Sequence, residues 1–142
     1  MTDDIFHDTN ILFYAYDLSE PSKREVCKTL VGNVFGGETK GFISNQILVE
    51  RYNALTRKLG VKSDTANLIV ESFLASTNWF KISYNQFTIK STLHTSKAFG
   101  TPFLDALIAE TMKENGISSI ITENERDFRQ ISGIQVTNPL KP

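Results

Sequence analysis

Four separated carboxylates are the residues of this sequence whose types and positions suggest chemistry. Asp8 directly follows a short apolar segment, Ile5–His7, which has the pattern of a buried strand. The other three also fall near the end of a predicted strand or the start of the helix after it; they are Glu50, Asp105 and Asp127. Ligands of parallel α/β sheets bind at the carboxyl ends of the strands. We therefore expect the four side chains to meet at one edge of a sheet.

Carboxylates gathered in this way need compensation. Asp105 lies among apolar residues of a predicted helix, and Glu50 is flanked by Leu48, Val49 and Tyr52. An ionised carboxylate in such surroundings is unfavourable without a cation or a hydrogen-bond donor, and several together repel one another until one takes up a proton. A hard divalent cation removes this repulsion. With only oxygen ligands at hand, Mg²⁺ or Mn²⁺ is favoured, and two such ions about 4 Å apart could clamp a phosphodiester and activate a water.

Each carboxylate also has a structural explanation when it is taken alone. An Asp at the position of Asp8 is typical of a turn or helix cap, and the negative charge of Asp105 could interact favourably with the dipole at the start of its helix. Glu50 could pair with a neighbouring arginine, and Asp127 could cap a short segment at Phe128. Only their joint placement at four strand exits favours a metal site.

The elements that must position these residues alternate between strands and helices. Strands are predicted at five segments: Ile5–His7, Gly41–Ile43, Trp79–Ser83, Ile117–Ile121 and Gly133–Thr137. Helices are predicted from Pro21 to about Gly36, from Ser44 or Asn45 to Gly60, from Ser63 or Asp64, over about residues 85–98, and from a Thr101 cap with Pro102 in the first turn to Gly116. Asp8-Thr9-Asn10 is predicted to be a polar turn. This order predicts an α/β fold: a three-layer α/β/α sandwich with a central parallel sheet.

Composition narrows the class of protein. The 142 residues are 40% hydrophobic and 22% charged, which excludes a disordered tail or a collagen-like repeat and fits a single domain over 1–142. The net charge is -1, so nucleic acid would have to bind a local basic patch. The lone cysteine, Cys27, and the lack of a signal-peptide pattern or long apolar run predict a cytoplasmic protein with no membrane association.

Five segments in order resemble the PIN-domain ribonucleases, most of all the VapC-type toxins. They are Asp8-Thr9-Asn10-Ile11-Leu12, Ile47-Leu48-Val49-Glu50, Phe103-Leu104-Asp105-Ala106-Leu107-Ile108-Ala109, Thr122-Glu123-Asn124-Glu125-Arg126-Asp127-Phe128, and Gly133-Ile134-Gln135-Val136-Thr137-Asn138-Pro139. Together they extend over nearly the whole chain. Each segment alone is weak, but five at these spacings are fairly specific.

The resemblance implies a metal-dependent endoribonuclease, with Mg²⁺ or Mn²⁺ as cofactor and RNA as substrate. It also implies a homodimer and a small antitoxin protein as partners. Asp8, Glu50, Asp105 and Asp127 would be the catalytic, metal-binding acids, supported by four polar residues: Thr9, Asn10, Thr122 and Asn124. Many family members have an acid where this chain has Asn124. That departure makes Asp127 the fourth ligand and leaves Glu123 as a further candidate.

Two arginines beside the acids, Arg51 and Arg126, are candidates for holding RNA phosphates at the rim of the site. Three other functions stay open at this point. An RNA-processing nuclease without an antitoxin would have the same residues. A phosphatase with an aspartyl nucleophile would need a second carboxylate where Asn10 stands, and a non-catalytic interaction module would not need all four acids.

Overall fold

A computed structural model describes residues 4–141 of the chain. Five short strands form one sheet: β1 (Ile5–His7), β2 (Gly41–Ser44), β3 (Trp79–Ile82), β4 (Ser119–Ile121) and β5 (Gln135–Thr137). Seven helices flank the sheet: α1 (Thr9–Tyr14), α2 (Pro21–Phe35), α3 (Asn45–Arg57), α4 (Ser63–Ala75), α5 (Gln86–Phe99), α6 (Phe103–Glu114) and α7 (Glu125–Arg129). The predicted α/β/α sandwich is confirmed.

All strand pairs are parallel, and the strand order is β3-β2-β1-β4-β5. The chain proceeds from β1 outward through β2 to β3, and then crosses to the other side of β1 for β4 and β5. The change of direction next to β1 is the topological switch point of the sheet, where a crevice opens beyond the carboxyl ends of the strands. Asp8 is the first residue beyond β1, so it lies at this crevice.

The core beneath the crevice is apolar and centred on β1–β3. Phe6 and Ile43 are fully buried, and the rings of His7, Phe35 and Phe73 pack against Trp79. Burial lowers the pKa of His7 to about 4, so this histidine is a neutral packing residue.

The beginning of β2 requires a glycine. A Cβ at Gly41 would lie only 2.6 Å from the Trp79 ring and 2.7 Å from the Val34 side chain. The glycine therefore allows the core to close against the strand that leads to α3 and to Glu50.

The signals at helix ends explain most of the predicted helices. Ser44 caps α3 by accepting a hydrogen bond from the Ile47 amide at 3.2 Å. Asn85 and Thr88 form a capping box at the start of α5, and Gly100 ends that helix in the left-handed conformation.

Two local predictions were wrong, and one short helix had not been predicted. Residues 9–14 form the helix α1 instead of the predicted turn, because the Asp8 side chain caps a helix by accepting a hydrogen bond from the Thr9 amide. Residues 125–129 form the short helix α7. Pro102 occupies the N-cap of α6, so Thr101 does not cap that helix. Within residues 4–141, no helix has the length and apolar character needed to cross a membrane.

Candidate active site

Three of the four predicted acids line one pocket at the switch point. The pocket has a volume of about 310 Å³ and is lined by Asp8, Glu50 and Asp105 together with Asn124 and Lys58. Asp8 comes from the end of β1, Glu50 from the sixth position of α3, and Asp105 from the first turn of α6. These placements agree with the positions predicted from the sequence.

Asp8 is buried and held on both carboxylate oxygens. Oδ1 accepts a hydrogen bond of 2.8 Å from the Thr9 amide, while Oδ2 accepts from the Thr122 hydroxyl at 2.7 Å and from the Asn10 amide group at 3.3 Å. The backbone amide of Asp8 donates to the Ile121 carbonyl, which fixes the residue between β1 and β4. Thr9, Asn10 and Thr122 thus give this carboxylate one orientation.

Glu50 points to the same pocket from the helix across from α1. Its Oε1 accepts hydrogen bonds from the Thr9 hydroxyl at 3.2 Å and from the Gln46 amide group at 3.4 Å. Gln46 also donates to the Leu104 carbonyl at 3.2 Å, which joins α3 to the start of α6. The sequence predictions did not include Gln46. Its position four residues before Glu50, on the same helix face, was the available signal.

Asp127 stands beside Asp105 without lining the pocket itself. The Asn124 amide group donates to Asp105 Oδ2 and to Asp127 Oδ2, both at 3.1 Å. The Asn124 backbone amide in turn donates to the Thr122 hydroxyl at 2.9 Å. Asn124 is therefore the hydrogen-bonded bridge between Asp105 and Asp127.

The electrostatics of the pocket oppose full ionisation of these acids. Burial raises the pKa of Asp8, although its three hydrogen bonds partly offset the effect. Burial, followed by repulsion from Asp8, raises the pKa of Glu50. Burial raises the pKa of Asp105 to about 7, with further contributions from the charges of Asp8 and Asp127. The pocket therefore favours the uptake of positive charge, either as a proton or as a cation.

The donor set suits a hard divalent cation, because every side-chain ligand on offer is an oxygen. In the present side-chain conformations, however, no group of three or more His, Cys, Asp or Glu within residues 4–141 stands in an arrangement that could hold a metal ion. The carboxylates share one pocket but are directed toward their hydrogen-bond donors. An ion shared by these acids requires side-chain conformations other than the present ones.

Glu123, the further candidate ligand, is engaged elsewhere. Its two oxygens accept hydrogen bonds of 2.7 Å from the Tyr14 hydroxyl and from Lys23 Nζ. Burial alone would raise the pKa of Glu123, but the hydrogen bonds from Lys23 and Tyr14 outweigh it and lower the pKa. This pairing connects α1, α2 and the segment after β4 at the side of the pocket.

The two candidate arginines have different environments. Arg51 is fully buried, and its guanidinium lies between the rings of Tyr16 and Phe73, 4.5 Å and 4.2 Å from their centroids. The prediction that Arg51 contacts RNA at the rim is therefore wrong, because the residue faces the core side of α3. Arg126 is exposed and lines a second concavity that adjoins the pocket at Asn124.

The chain is similar to a known protein family over most of its length. The family model described as "PIN domain" matches residues 5–134 of the chain. No significant match is found among curated proteins.

Solved structures share the fold at low sequence identity. A toxin-antitoxin complex from Klebsiella pneumoniae is 19% identical, with a TM-score of 0.67 over 95% of this chain and 97% of that one. DNA-bound VapBC from Salmonella typhimurium is 21% identical, with a TM-score of 0.65 over 98% of this chain and 99% of that one. VapC20 from Mycobacterium tuberculosis, described as a Sarcin-Ricin loop cleaving toxin, is 16% identical, with a TM-score of 0.58 over 82% and 86%.

Proposed function

The chain belongs to the PIN domain family, and from this premise we propose that it is a metal-dependent endoribonuclease and the toxin of a toxin–antitoxin pair. The observation that supports catalysis most strongly is the convergence of Asp8, Glu50 and Asp105 in one pocket, with Asp127 hydrogen-bonded beside them through Asn124. A structural role would not require Asp8, Glu50 and Asp105 to share a pocket where burial raises the pKa of each carboxyl group.

Asp8, Glu50, Asp105 and Asp127 would hold Mg²⁺ or Mn²⁺. When bound, such an ion lowers the pKa of a coordinated water and stabilises negative charge on a phosphodiester oxygen. The oxygen-only donor set fits this ion class, and the burial and neighbouring charges that raise the pKa of Asp105 favour the uptake of positive charge there.

The surrounding polar residues keep the acids in position. Thr122 and Asn10 fix Oδ2 of Asp8, while Thr9 and Gln46 hold Oε1 of Glu50. Each of these donors is attached to a strand end or helix, so Asp8 and Glu50 are kept at the pocket before a ligand arrives. Lys58, on the pocket wall, supplies a positive charge to an incoming phosphate.

Exposed apolar side chains on two parts of the surface support the proposal that this chain binds other proteins. A groove of about 390 Å³ between α3 and α4 is lined largely by apolar side chains, including Leu48, Val49, Val70 and Leu74. On α5 and α6, Phe87, Leu93 and Leu104 are also more than half exposed. These apolar surfaces suit protein contacts, and we assign them to a second copy of the chain and to an antitoxin. The neighbours described as toxin-antitoxin complexes motivate the second assignment.

A cleavage assay tests the proposed activity. The protein should cut a mixture of single-stranded and structured RNAs in Mn²⁺ or Mg²⁺ and stop in EDTA, and Asp8→Asn should be inactive while its circular dichroism matches the wild type. Glu71→Gln, which changes an exposed acid of α4, is the matched control and should cleave normally. Cleavage that continues in EDTA, or at the wild-type rate in Asp8→Asn, would refute the metal mechanism. No cleavage of any RNA by the wild type would favour a non-catalytic module.

A further inference from the structure

We propose that three cations beside the acidic pocket, Arg126, Arg129 and Lys141, bind a backbone phosphate of the RNA next to the phosphate that is cleaved. This cluster is called the cationic shelf below. The inference rests on the proposed function, because it assigns a second contact to the same substrate. It concerns α7 and the C-terminal segment, which the proposed metal site uses only through Asp127.

The shelf is contiguous with the acidic pocket. Its concavity of about 370 Å³ is lined by the three cations together with Glu123, Asn124 and Glu125. Asn124 lines both depressions, and its amide group contacts Asp105 and Asp127 at 3.1 Å each. A nucleotide chain leaving the pocket on the Asn124 side therefore passes directly onto the shelf.

Glu125 holds two of the cations in place. Its carboxylate accepts from Arg129 and from Lys141, each at 2.8 Å, and from the Asn138 amide group at 3.1 Å. These contacts tie the segment after β5 to α7, so cations that are twelve residues apart in sequence face the same concavity.

These ion pairs contribute little to folding. The side chains of Arg129 and Lys141 are 61% and 68% exposed, and ion pairs made by such exposed cations stabilise a fold only weakly. Their exposed donors remain free to contact a ligand. Within residues 4–141, Arg126 forms no ion pair within 4 Å, and its side chain is exposed in the same concavity.

The charge balance favours an anion at this place. Glu123 is already neutralised by Lys23 at 2.7 Å, which leaves three cations against the single charge of Glu125. The net charge of the chain is -1, and the adjoining pocket is acidic with Lys58 on its wall, so the shelf adds positive charge beside the acids. A polyanion approaching the carboxylates needs local positive charge to offset their repulsion, and arginine guanidinium groups are suited to phosphate.

Salt-dependent RNA binding tests the shelf. The protein is the Asp8→Asn variant, which leaves the RNA intact, and the probes are fluorescent oligouridylate and oligoadenylate. Adding Arg126→Ala should lower the slope of log K against log salt by about 0.7, the value for one lost phosphate contact on a single strand. The loss should be equal for both RNAs, because a backbone contact does not distinguish bases. Arg126→Lys should restore the slope.

Lys40→Ala is the matched control. Lys40 precedes β2 and lies at the amino end of the sheet, away from the pocket, so its removal should leave the slope unchanged. With Asp8 intact and Mn²⁺ present, Arg126→Ala should raise KM several-fold and leave kcat unaltered.

The outcomes separate this proposal from the nuclease proposal. An unchanged slope in Arg126→Ala, or a loss confined to one of the two RNAs, would overturn the shelf while wild-type cleavage stands. RNA binding with the expected slope change but no cleavage by the wild type would support the shelf and refute the nuclease. Failure of the wild-type chain to bind either RNA would refute both.

Discussion

Asp105→Asn should make the metal-free protein more stable at neutral and alkaline pH. Asp105 is partly buried among carboxylates, and burial together with the charges of Asp8 and Asp127 raises its pKa to about 7 from an ordinary value of 3.8. The substitution removes the charge but keeps an oxygen that can accept the hydrogen bond from Asn124. The folded protein therefore loses a repulsion without losing its contact.

The size of the effect follows from the pKa difference. A change from 3.8 to about 7 corresponds to at most about 4 kcal/mol between the two protonation states. Solvent reaches part of this side chain and screens the charges, so we expect about 1–2 kcal/mol.

The pH dependence has a defined sign. Between pH 3.8 and about 7 the folded state binds the Asp105 proton more tightly than the unfolded chain does, so the free energy of unfolding falls as pH rises through this window. Asp105→Asn removes this decline. Its advantage over the wild type should be absent near the acid end of the window and complete above its upper end.

Urea unfolding in EDTA measures the effect. The fluorescence of Trp79, which is the sole tryptophan of the chain and is buried, monitors the transition. Glu71→Gln on the exposed face of α4 is the control and should retain the wild-type pH dependence. Mn²⁺ should reverse the order of stabilities, because only the wild type binds it well. The reasoning is refuted if Asp105→Asn is less stable than the wild type above pH 7 in EDTA, or if its gain is the same at both ends of the window.

Two further substitutions test the surroundings of the site. Thr122→Val removes the hydroxyl that donates to Asp8 at 2.7 Å and accepts from the Asn124 backbone amide. This variant should keep a native circular dichroism spectrum but lose at least tenfold in kcat in Mn²⁺. A wild-type kcat would show that Asp8 does not need this hydrogen bond. Arg51→Met replaces a buried guanidinium that has no hydrogen-bond partner among the described residues. This variant should have a free energy of unfolding about 1 kcal/mol higher than the wild type, with unchanged RNA affinity. A loss of RNA affinity would show that Arg51 contacts RNA after all.

The sequence predicted the fold and the approach of the acids because both depend on a simple rule. Strands that alternate with helices form a parallel sheet, and residues just beyond β1, β2 and β4 then come to one edge of it. The placements of Asp8 and Glu50 follow from that rule, and Asp105 lies near the start of α6, the helix that leads into β4.

Other features depend on tertiary contacts that no local pattern displays. Arg51 follows Glu50 in the sequence, but the turn of α3 directs it toward Tyr16 and Phe73. Glu50 therefore faces the pocket, whereas Arg51 faces the core. The pairing of Glu123 with Lys23 joins residues that are 100 positions apart. The six residues of helix α1 are too few to show a clear helical period, so the sequence pattern does not distinguish this helix from a turn.

Calorimetric titration of the metal-free protein with Mn²⁺, in two buffers of different ionisation enthalpy, tests the central claim most directly. The claim is that the four acids form one cation site. We expect the wild type to bind Mn²⁺ and to release protons near neutral pH, because Asp105 must give up its proton to an ion, whereas Asp8→Asn and Asp105→Asn should bind at least tenfold more weakly. Binding of Mn²⁺ by both variants with wild-type affinity would contradict the claim.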